Sequence, residues 1–223
     1  MRIEEKQRLH DDLAARIRTC TLCDGMNVKG ETQSAPGFGS VRSPVVIVGQ
    51  SLCGPCMAKQ EPFYGGTGAL LNRAFDQADR RKVDLYITNV VHCHPPKNRP
   101  SLPSEIDNCK PYLAEELAIV QPRLIIGLGE DARDVLDTAY PKARRLDWPL
   151  VSVAGMTPPS ADEPDLLFPT HPGAFRWKPK ELRAELIEQF VDCLARAVRW
   201  GFELPPTCDG MADMPGPLND SEG

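Results

Sequence analysis

Cysteine is the residue type that offers this chain the most chemistry, because eight cysteines occur among its 223 residues. Two of the spacings are Cys-x-x-Cys, namely Cys20 with Cys23 and Cys53 with Cys56. Cys93 and Cys109 form a wider pair. In a reducing compartment such thiols indicate metal or redox chemistry rather than a disulfide framework.

The tetrapeptide Cys53-Gly-Pro-Cys56 directly follows the apolar run 45–48, which is how a thioredoxin-like site begins. Such a site needs its first cysteine at a helix N-terminus, where the dipole lowers the thiol pKa. Here residues 57–64 run into Gly65-Gly66, so a helix would end within about two turns. A dithiol oxidoreductase is therefore the weaker interpretation, and the tetrapeptide is predicted to lie in a loop.

Four thiolates suit an iron–sulfur cluster or a structural zinc ion. Cys93 sits where a predicted strand ends, and Cys109 lies in the first turns of a predicted helix. The alternative is that Cys109 is a core residue and that the other cysteines are incidental. Spacing alone does not decide which of the two Cys-x-x-Cys pairs would complete a metal site.

Strands and helices that could position these residues alternate along the chain. Apolar segments predict strands at 44–49, 85–93 and 123–129, and a fourth that ends in 166–172. The first predicted helix covers 4–18. Three more are predicted to begin at Thr67, at a capping box of Ser104 with Asp107, and at Gly129. Gly201 is predicted to end the last helix. We expect one domain, 1–203, with a three-layer α/β/α sandwich around a mainly parallel four-stranded sheet, and a disordered tail, 204–223.

The composition is that of an ordinary globular protein, with 41% hydrophobic and 26% charged residues. No apolar run approaches the roughly 20 residues of a membrane span, and the N-terminus does not resemble a signal peptide. A net charge of −5 argues against a strongly basic nucleic-acid binder but leaves room for a local basic groove. We expect a cytoplasmic monomer that does not bind membranes.

Four segments, taken in order, resemble one protein family. "VVIVGQSLCGPCMAKQEPFYGGTGALL" is similar to a strand, a Gly-Glu-Ala-Pro-Gly loop and a Pro-Phe-x-Gly-x-x-Gly-x-Leu-Leu segment. "YITNVVHCHPPKNRPSLPSEIDNCKPYL" is similar to a second strand with Thr-Asn-x-x-x-Cys and a later cysteine. "LIIGLGEDA" resembles a Leu-Gly-x-x-Ala turn, and "FPTHPGAFR" a late His-Pro motif. Together they resemble the family-4 uracil-DNA glycosylases, the iron–sulfur type of that superfamily.

The resemblance extends from about Cys20 to the closing helix and implies a uracil-DNA glycosylase-like fold. It also implies a [4Fe–4S] cluster that braces DNA-contacting loops. The implied ligands are Cys20, Cys23, Cys93 and Cys109, which leaves Cys53 and Cys56 outside the cluster.

A pocket for one flipped-out base is implied as well. Phe63 would stack on the base, and the Asn89 carboxamide can accept from N3–H and donate to O4 of uracil. His171 would place a donor near O2, where negative charge collects as the N-glycosidic bond breaks. Gln50 would hold the attacking water. The implied base-binding residues are Gly49, Gln50, Ser51, Phe63, Asn89 and His171, of which Gln50, Asn89 and His171 are catalytic.

DNA is the implied partner, either single- or double-stranded. Phe175 is predicted to be the apolar wedge that fills the hole in the duplex. The predicted phosphate contacts are Lys97, Arg99, Arg176 and Lys178.

The chain departs from the family pattern at two positions. Gln50 stands where the family carries Glu, and glutamine can position a water by hydrogen bonds but cannot take its proton. Cys56 stands where an acid shapes the pocket beside C5 of the base. A smaller thiol leaves more room, so we expect tolerance of a C5-substituted or otherwise modified pyrimidine.

The predicted function is a monofunctional DNA glycosylase that releases uracil or a modified pyrimidine and leaves an abasic site. The alternatives are a base-sensing DNA-binding protein that has lost catalysis with the missing acid, and the dithiol oxidoreductase. The sequence does not say which base is released, which strand form is preferred, or whether the role is repair or defence.

Overall fold

The computed structural model describes residues 1–157 and 163–203. The predicted disordered tail, 204–223, lies outside the described residues. The helices found there are Ile3–Arg18 (α1), Gly54–Lys59 (α2), Gly68–Gln77 (α3), Pro103–Val120 (α4), Glu130–Ala139 (α5) and Lys180–Glu203 (α6). The strands are Phe38–Gly39 (β1), Val45–Ser51 (β2), Tyr86–Val91 (β3), Leu124–Gly127 (β4), Arg145–Leu146 (β5) and Asp165–Leu167 (β6). Short 3-10 helices span Lys82–Asp84, Pro96–Asn98 and Pro172–Trp177.

The strands form one sheet in the order β1-β3-β2-β4-β6-β5. Every neighbouring pair is parallel except β1 with β3, so the predicted mainly parallel sheet is confirmed. Six strands are found in the described residues where four were predicted. The two additional strands, β1 and β5, are edge strands of two residues each, too short to leave a periodic pattern in the sequence.

Helices cover both faces of the sheet, which confirms the three-layer sandwich. Val45 and Ile47 of β2 face a core that contains residues of α3 and α6. Val46 and Val48 face the opposite core, which contains residues of α4 and α5. α1 packs on the outside of α4 through Leu13. Among the described helices, none has both the length and the apolar character that crossing a bilayer requires.

Gly201 does not end the last helix, as the sequence predicted, because α6 continues to Glu203. The glycine is buried against β2, and a Cβ atom at this position would lie 2.4 Å from Val45 Cγ2. Its role is therefore close packing of the helix on the sheet rather than chain termination.

The predicted capping box at Ser104 is also wrong, because α4 already begins at Pro103. The Glu105 carboxylate accepts a hydrogen bond from the Leu102 N–H at 2.8 Å and so closes the first turn. Glu105 also pairs with Arg99 through both guanidinium nitrogens, at 2.9 and 2.5 Å. These contacts fix the loop that connects β3 to α4.

Glu116 is a buried carboxylate of α4 that joins three parts of the fold. It accepts hydrogen bonds from the Gly37 N–H at 2.8 Å and from the Thr88 hydroxyl at 2.5 Å, and His92 Nε2 lies 3.2 Å away. Burial works against ionisation, but the attraction to His92 and these donors together lower the pKa of Glu116. Helix α4 is thereby fixed to β3, the strand that carries Asn89.

Candidate active site and cysteine cluster

The predicted active-site residues meet at the carboxyl ends of β2 and β3. These strands are parallel, and Gly49 of β2 is paired with Asn89 of β3. A Cβ atom on Gly49 would lie 2.5 Å from Asn89 Oδ1 and 2.7 Å from Phe63 Cζ. Only a residue without a side chain leaves room for the carboxamide and the aromatic ring at this point. Ligands of open α/β sheets bind at this edge.

A cavity of about 580 Å³ opens beside this junction. The predicted site residues that line it are Gln50, Ser51, Phe63, Asn89, His171, Arg99 and Arg176. Residues separated by more than a hundred positions in the sequence therefore share one cavity. Gly49, which was predicted to bind the base, is not among the lining residues, and its part is to let Phe63 and Asn89 approach each other.

The loop that carries Phe63 is held in an unusual conformation. Phe63 has a φ of 52°, which is uncommon for a residue other than glycine and is often found at functional sites. The Lys82 ammonium donates to the Pro62 and Phe63 carbonyls at 2.6 and 3.2 Å and to the Glu61 carboxylate at 2.6 Å. These bonds hold the backbone so that the ring faces the cavity.

His171 is positioned as a neutral hydrogen-bond donor. Its Nδ1 accepts the Gly173 N–H at 3.1 Å, so the ring proton of the neutral imidazole is on Nε2. Burial, and then the charge of Arg176, lower the pKa of His171. At neutral pH the residue therefore presents one N–H without a positive charge.

Gln50 has a carboxylate neighbour that the sequence analysis missed. Asp131, in the first turn of α5, lies close enough to Gln50 for the amide to influence its pKa. Burial, and then the nearby carboxylates of Asp134 and Glu130, raise the pKa of Asp131, and the proximity of Gln50 acts in the opposite direction. The sequence does contain a signal for it, because an acid that follows a buried strand of a parallel sheet lies at the edge where ligands bind.

Phe175 does not have the position that the wedge role requires. It is buried and packs edge-to-face on Phe190, with ring centroids 5.6 Å apart. Trp177, two residues further on, is 78% exposed and lines the cavity. Its ring lies under the Arg176 guanidinium at 4.8 Å. The sequence shows both aromatic residues, but only the folded structure shows that Phe175 is buried and that Trp177 is exposed.

The predicted basic residues fall into two groups. Arg99 and Arg176 line the cavity, whereas Lys97 and Lys178 are exposed outside its lining. The charge of Arg99 is engaged by Glu105, and this pair is the first cause of the lowered pKa of Glu105. Arg176 is therefore the cavity cation that is better placed to meet a phosphate.

The four predicted cluster ligands approach one another where α1, β3 and α4 meet. Burial raises the pKa of the Cys93 thiol to about 12, and Cys109, Cys20 and Cys23 add to this effect through their proximity. Asn108 Nδ2 donates to Cys23 Sγ at 3.3 Å. Within the described residues, no three acidic, histidine or cysteine side chains close on a single metal ion. The structure thus brings the four thiols close enough together to influence one another's pKa.

Cys53 and Cys56 are joined as a disulfide in the cavity wall. Cys53 is the N-cap of α2, and its sulfur accepts the Cys56 N–H at 3.2 Å. The predicted loop is thus a short helix, but its six residues give little of the helix dipole on which thioredoxin-like sites depend. The two sulfur atoms give this part of the cavity wall an uncharged surface.

Comparison with known proteins agrees with this arrangement. The family model "Uracil DNA glycosylase superfamily" matches residues 36–195. A Type-4 uracil-DNA glycosylase from Archaeoglobus fulgidus is 37% identical over 122 residues, which are 55% of this chain and 60% of that protein. One from Sulfurisphaera tokodaii is 30% identical over 184 residues, 81% of each chain. A Type-5 uracil-DNA glycosylase from Pyrobaculum aerophilum is 52% identical over 158 residues, 58% of this chain and 70% of that protein.

The match to the Archaeoglobus protein thus spans less than two thirds of that relative's length. The family model, however, covers more than half of this chain, including β2, β3 and the segment that carries His171. The chain belongs to the uracil-DNA glycosylase superfamily and is similar to its Type-4 members.

Proposed function

We propose that this protein is a monofunctional DNA glycosylase, which hydrolyses the N-glycosidic bond of uracil or a modified pyrimidine in DNA and leaves an abasic site. The observation that carries the proposal is that Phe63, Asn89 and His171 line one cavity with Gln50. A target base must leave the duplex stack to reach such a cavity. The cytoplasmic location and the monomeric state stay predictions.

Each of three side chains has a separate task in binding the base. Phe63 offers its ring as a stacking surface, and Asn89 offers one donor and one acceptor to adjacent atoms of the pyrimidine edge. Nε2–H of His171 is free to donate to O2, because Nδ1 is already engaged by Gly173. A base that lacks this pattern of acceptors and donors leaves buried polar groups unpaired, which costs binding energy.

The reaction breaks the bond between C1′ of the sugar and the base, and the electron pair of that bond leaves with the base. His171 stabilises the negative charge that collects on O2, as a preorganised donor does in other active sites. A water held by Gln50 forms the new bond to C1′ and releases its proton to solvent. Gln50 orients this water but does not deprotonate it.

The replacement of an acid by Gln50 favours one alternative, a protein that binds a flipped base without cleaving it. Oligonucleotides carrying uracil, thymine or 5-hydroxymethyluracil, incubated with anaerobically purified protein and then treated with alkali, distinguish the two. We expect strand cleavage with uracil and with 5-hydroxymethyluracil, because the disulfide wall beside the cavity is apolar and carries no carboxylate.

Gel retardation without strand cleavage would establish the binding protein instead. Cleavage of the uracil substrate alone would contradict the expected tolerance of C5 substituents. Cys53→Ser should leave the release of uracil largely intact, whereas a dithiol oxidoreductase would lose all of its activity with this variant.

His171→Ala is expected to lower the rate of uracil release about 100- to 1,000-fold, because one preorganised donor at the developing oxyanion is lost. His171→Gln restores an N–H and should recover part of the rate. The wild-type rate should show no inflection near pH 6.5, since the lowered pKa keeps the imidazole neutral there. Single-turnover kinetics from pH 5.5 to 8 measure both effects. His10→Ala, on α1, is the matched histidine control and should not change the rate.

Trp177, rather than Phe175, is proposed as the aromatic residue that fills the space left by the flipped nucleotide. Trp177→Ala should slow base release from duplex DNA about tenfold or more, since it forfeits stacking of roughly 1–3 kcal/mol. Single-stranded substrate, which has no hole to fill, should be cleaved at nearly the wild-type rate. Phe175→Leu should instead lower the free energy of unfolding by about 1–2 kcal/mol and leave the duplex preference unchanged. An equal loss on both substrates would count against the wedge role of Trp177.

The [4Fe–4S] cluster is proposed to be held by Cys20, Cys23, Cys93 and Cys109, and it would brace the chain where α1, β3 and α4 meet. We expect anaerobically purified protein to be brown and to contain about four iron atoms per chain. Cys109→Ser should lose most of the iron and lower the thermal midpoint. Cys193 is a buried cysteine of α6 that is not one of the four proposed ligands, so Cys193→Ser should keep the iron content and the thermal midpoint of the wild type. Colourless wild-type protein without iron would remove the cluster from the proposal.

A further inference from the structure

Lys82 is a cation that the reaction described above does not use. It begins the short 3-10 helix Lys82–Asp84, just before β3, and its side chain is only 14% exposed. The Asp84 carboxylate accepts the Arg81 N–H at 2.8 Å, which closes this turn and fixes the backbone from which the lysine extends. A largely buried ammonium is costly unless its charge has partners, so the identity of those partners indicates its role.

The partners of the Lys82 ammonium belong to segment 61–63. The Glu61 carboxylate accepts at 2.6 Å, the Pro62 carbonyl at 2.6 Å and the Phe63 carbonyl at 3.2 Å. A lysine ammonium has three N–H donors and no acceptor, so these three oxygens match its full hydrogen-bonding capacity. The ring of Phe38, whose centroid lies 5.5 Å from Nζ, borders the charge as well. Lys82 is thereby committed to this segment rather than available to a DNA phosphate.

The Phe63 carbonyl is confined from two directions. Lys82 binds it from one, and helix α3 borders it from the other, since a Cβ atom on Gly68 would lie 1.8 Å from the carbonyl oxygen. The φ of 52° at Phe63 is a left-handed conformation, which residues other than glycine keep only where their surroundings hold it. The Lys82 bonds and the close approach of Gly68 supply that constraint.

The backbone conformation of Phe63 also decides where its ring lies. Phe63 lines the cavity, and its Cζ atom would be 2.7 Å from a Cβ atom on Gly49, at the point where the Asn89 carboxamide arrives. Relaxation of the backbone to a more common conformation would turn the Cα–Cβ bond and carry the ring away from this point. A contact that holds the Phe63 carbonyl therefore acts on the stacking surface of the cavity.

We propose that Lys82 is a positioning residue for the flipped base: its ammonium holds the Phe63 backbone in the left-handed conformation and so places the ring on which the base stacks. This role rests on the proposed glycosylase function. Lys82 itself contacts neither the base nor the DNA. Its effect on base release is therefore transmitted through the Phe63 ring and should disappear when that ring is absent.

Substitution of Lys82 measures the size of the effect. Lys82→Met keeps the length of the side chain and removes its donors, so the single-turnover rate of uracil release at saturating protein should fall about 10-fold, as expected for a displaced stacking surface. Lys82→Arg keeps the charge and the donors and should recover part of the rate. Lys6→Met is the matched control, because Lys6 also donates to a backbone carbonyl, that of Val120 at 2.9 Å, but lies outside the cavity lining. Its rate should equal that of the wild type.

Glu61→Gln separates this role from that of a stabilising ion pair. The variant loses the charge of Glu61 but keeps an acceptor there, and it leaves both carbonyl bonds of Lys82 in place. Its rate should stay within about twofold of the wild type, since a partly exposed ion pair contributes little. A rate as low as that of Lys82→Met would assign the effect to the ion pair and overturn the proposal.

A double-mutant cycle tests whether the effect passes through the ring. In the Phe63→Ala background there is no ring to place, so adding Lys82→Met should change the rate by less than about twofold. If Lys82→Met lowers the rate by the same factor with and without the ring, Lys82 does not act through Phe63 and the proposal is wrong.

A fluorescence measurement reports base flipping without cleavage. 2-Aminopurine is placed beside a 2′-fluoro-deoxyuridine, whose N-glycosidic bond resists hydrolysis, and becomes brighter when its neighbour leaves the stack. Lys82→Met and Phe63→Ala should both give a smaller rise than the wild type, and Lys6→Met the same rise.

The two measurements distinguish failure of this role from failure of the proposed function. An active wild type with a Lys82→Met variant that matches it in rate and in fluorescence overturns the positioning role alone. A wild type that raises the fluorescence but releases no uracil overturns the proposed function, and the fluorescence of Lys82→Met then decides the role of Lys82. A wild type that does neither overturns both.

Discussion

The close approach of β2, β3 and the Phe63 loop at Gly49 is the constraint on which the active-site cavity depends. Parallel pairing sets Gly49 opposite Asn89, and the space that a side chain would fill is taken by the Asn89 carboxamide and the Phe63 ring. Any larger residue would separate the two groups that are proposed to hold a base. The sheet and its two helical layers fix this geometry, since β2 is buried on both faces and the strand cannot shift to relieve a clash.

The side chains that are proposed to contact the base are neutral: the Gln50 and Asn89 amides and the imidazole of His171, whose pKa is lowered by burial and by Arg176. Charged groups surround them, since Arg99 and Arg176 line the cavity and Glu105 pairs with Arg99. Neutral dipoles that are held in place bind a neutral base without repelling it and still stabilise charge as it develops.

The seven cysteines among the described residues have different structural settings. Four converge at the junction of α1, β3 and α4, where burial and mutual repulsion disfavour free thiolates and a metal cluster would relieve both. Cys53 and Cys56 form a disulfide in the cavity wall, and Cys193 is a buried residue of α6. The buried carboxylate of Glu116 connects the four-cysteine junction to the cavity, because it fixes α4 to the strand whose end carries Asn89.

The sequence by itself determined the layer architecture, the buried strands and the motifs at their carboxyl ends, because apolar periodicity and turn residues act over short stretches of chain. It did not show that Gly201 packs against Val45, that α4 begins before Ser104, or that Phe175 is buried while Trp177 is exposed. It also missed Asp131, whose neighbour Gln50 is eighty-one positions earlier in the chain. These features depend on which surfaces face each other once the sheet has formed. Such contacts are set by the register between distant strands, so only the tertiary structure decided them.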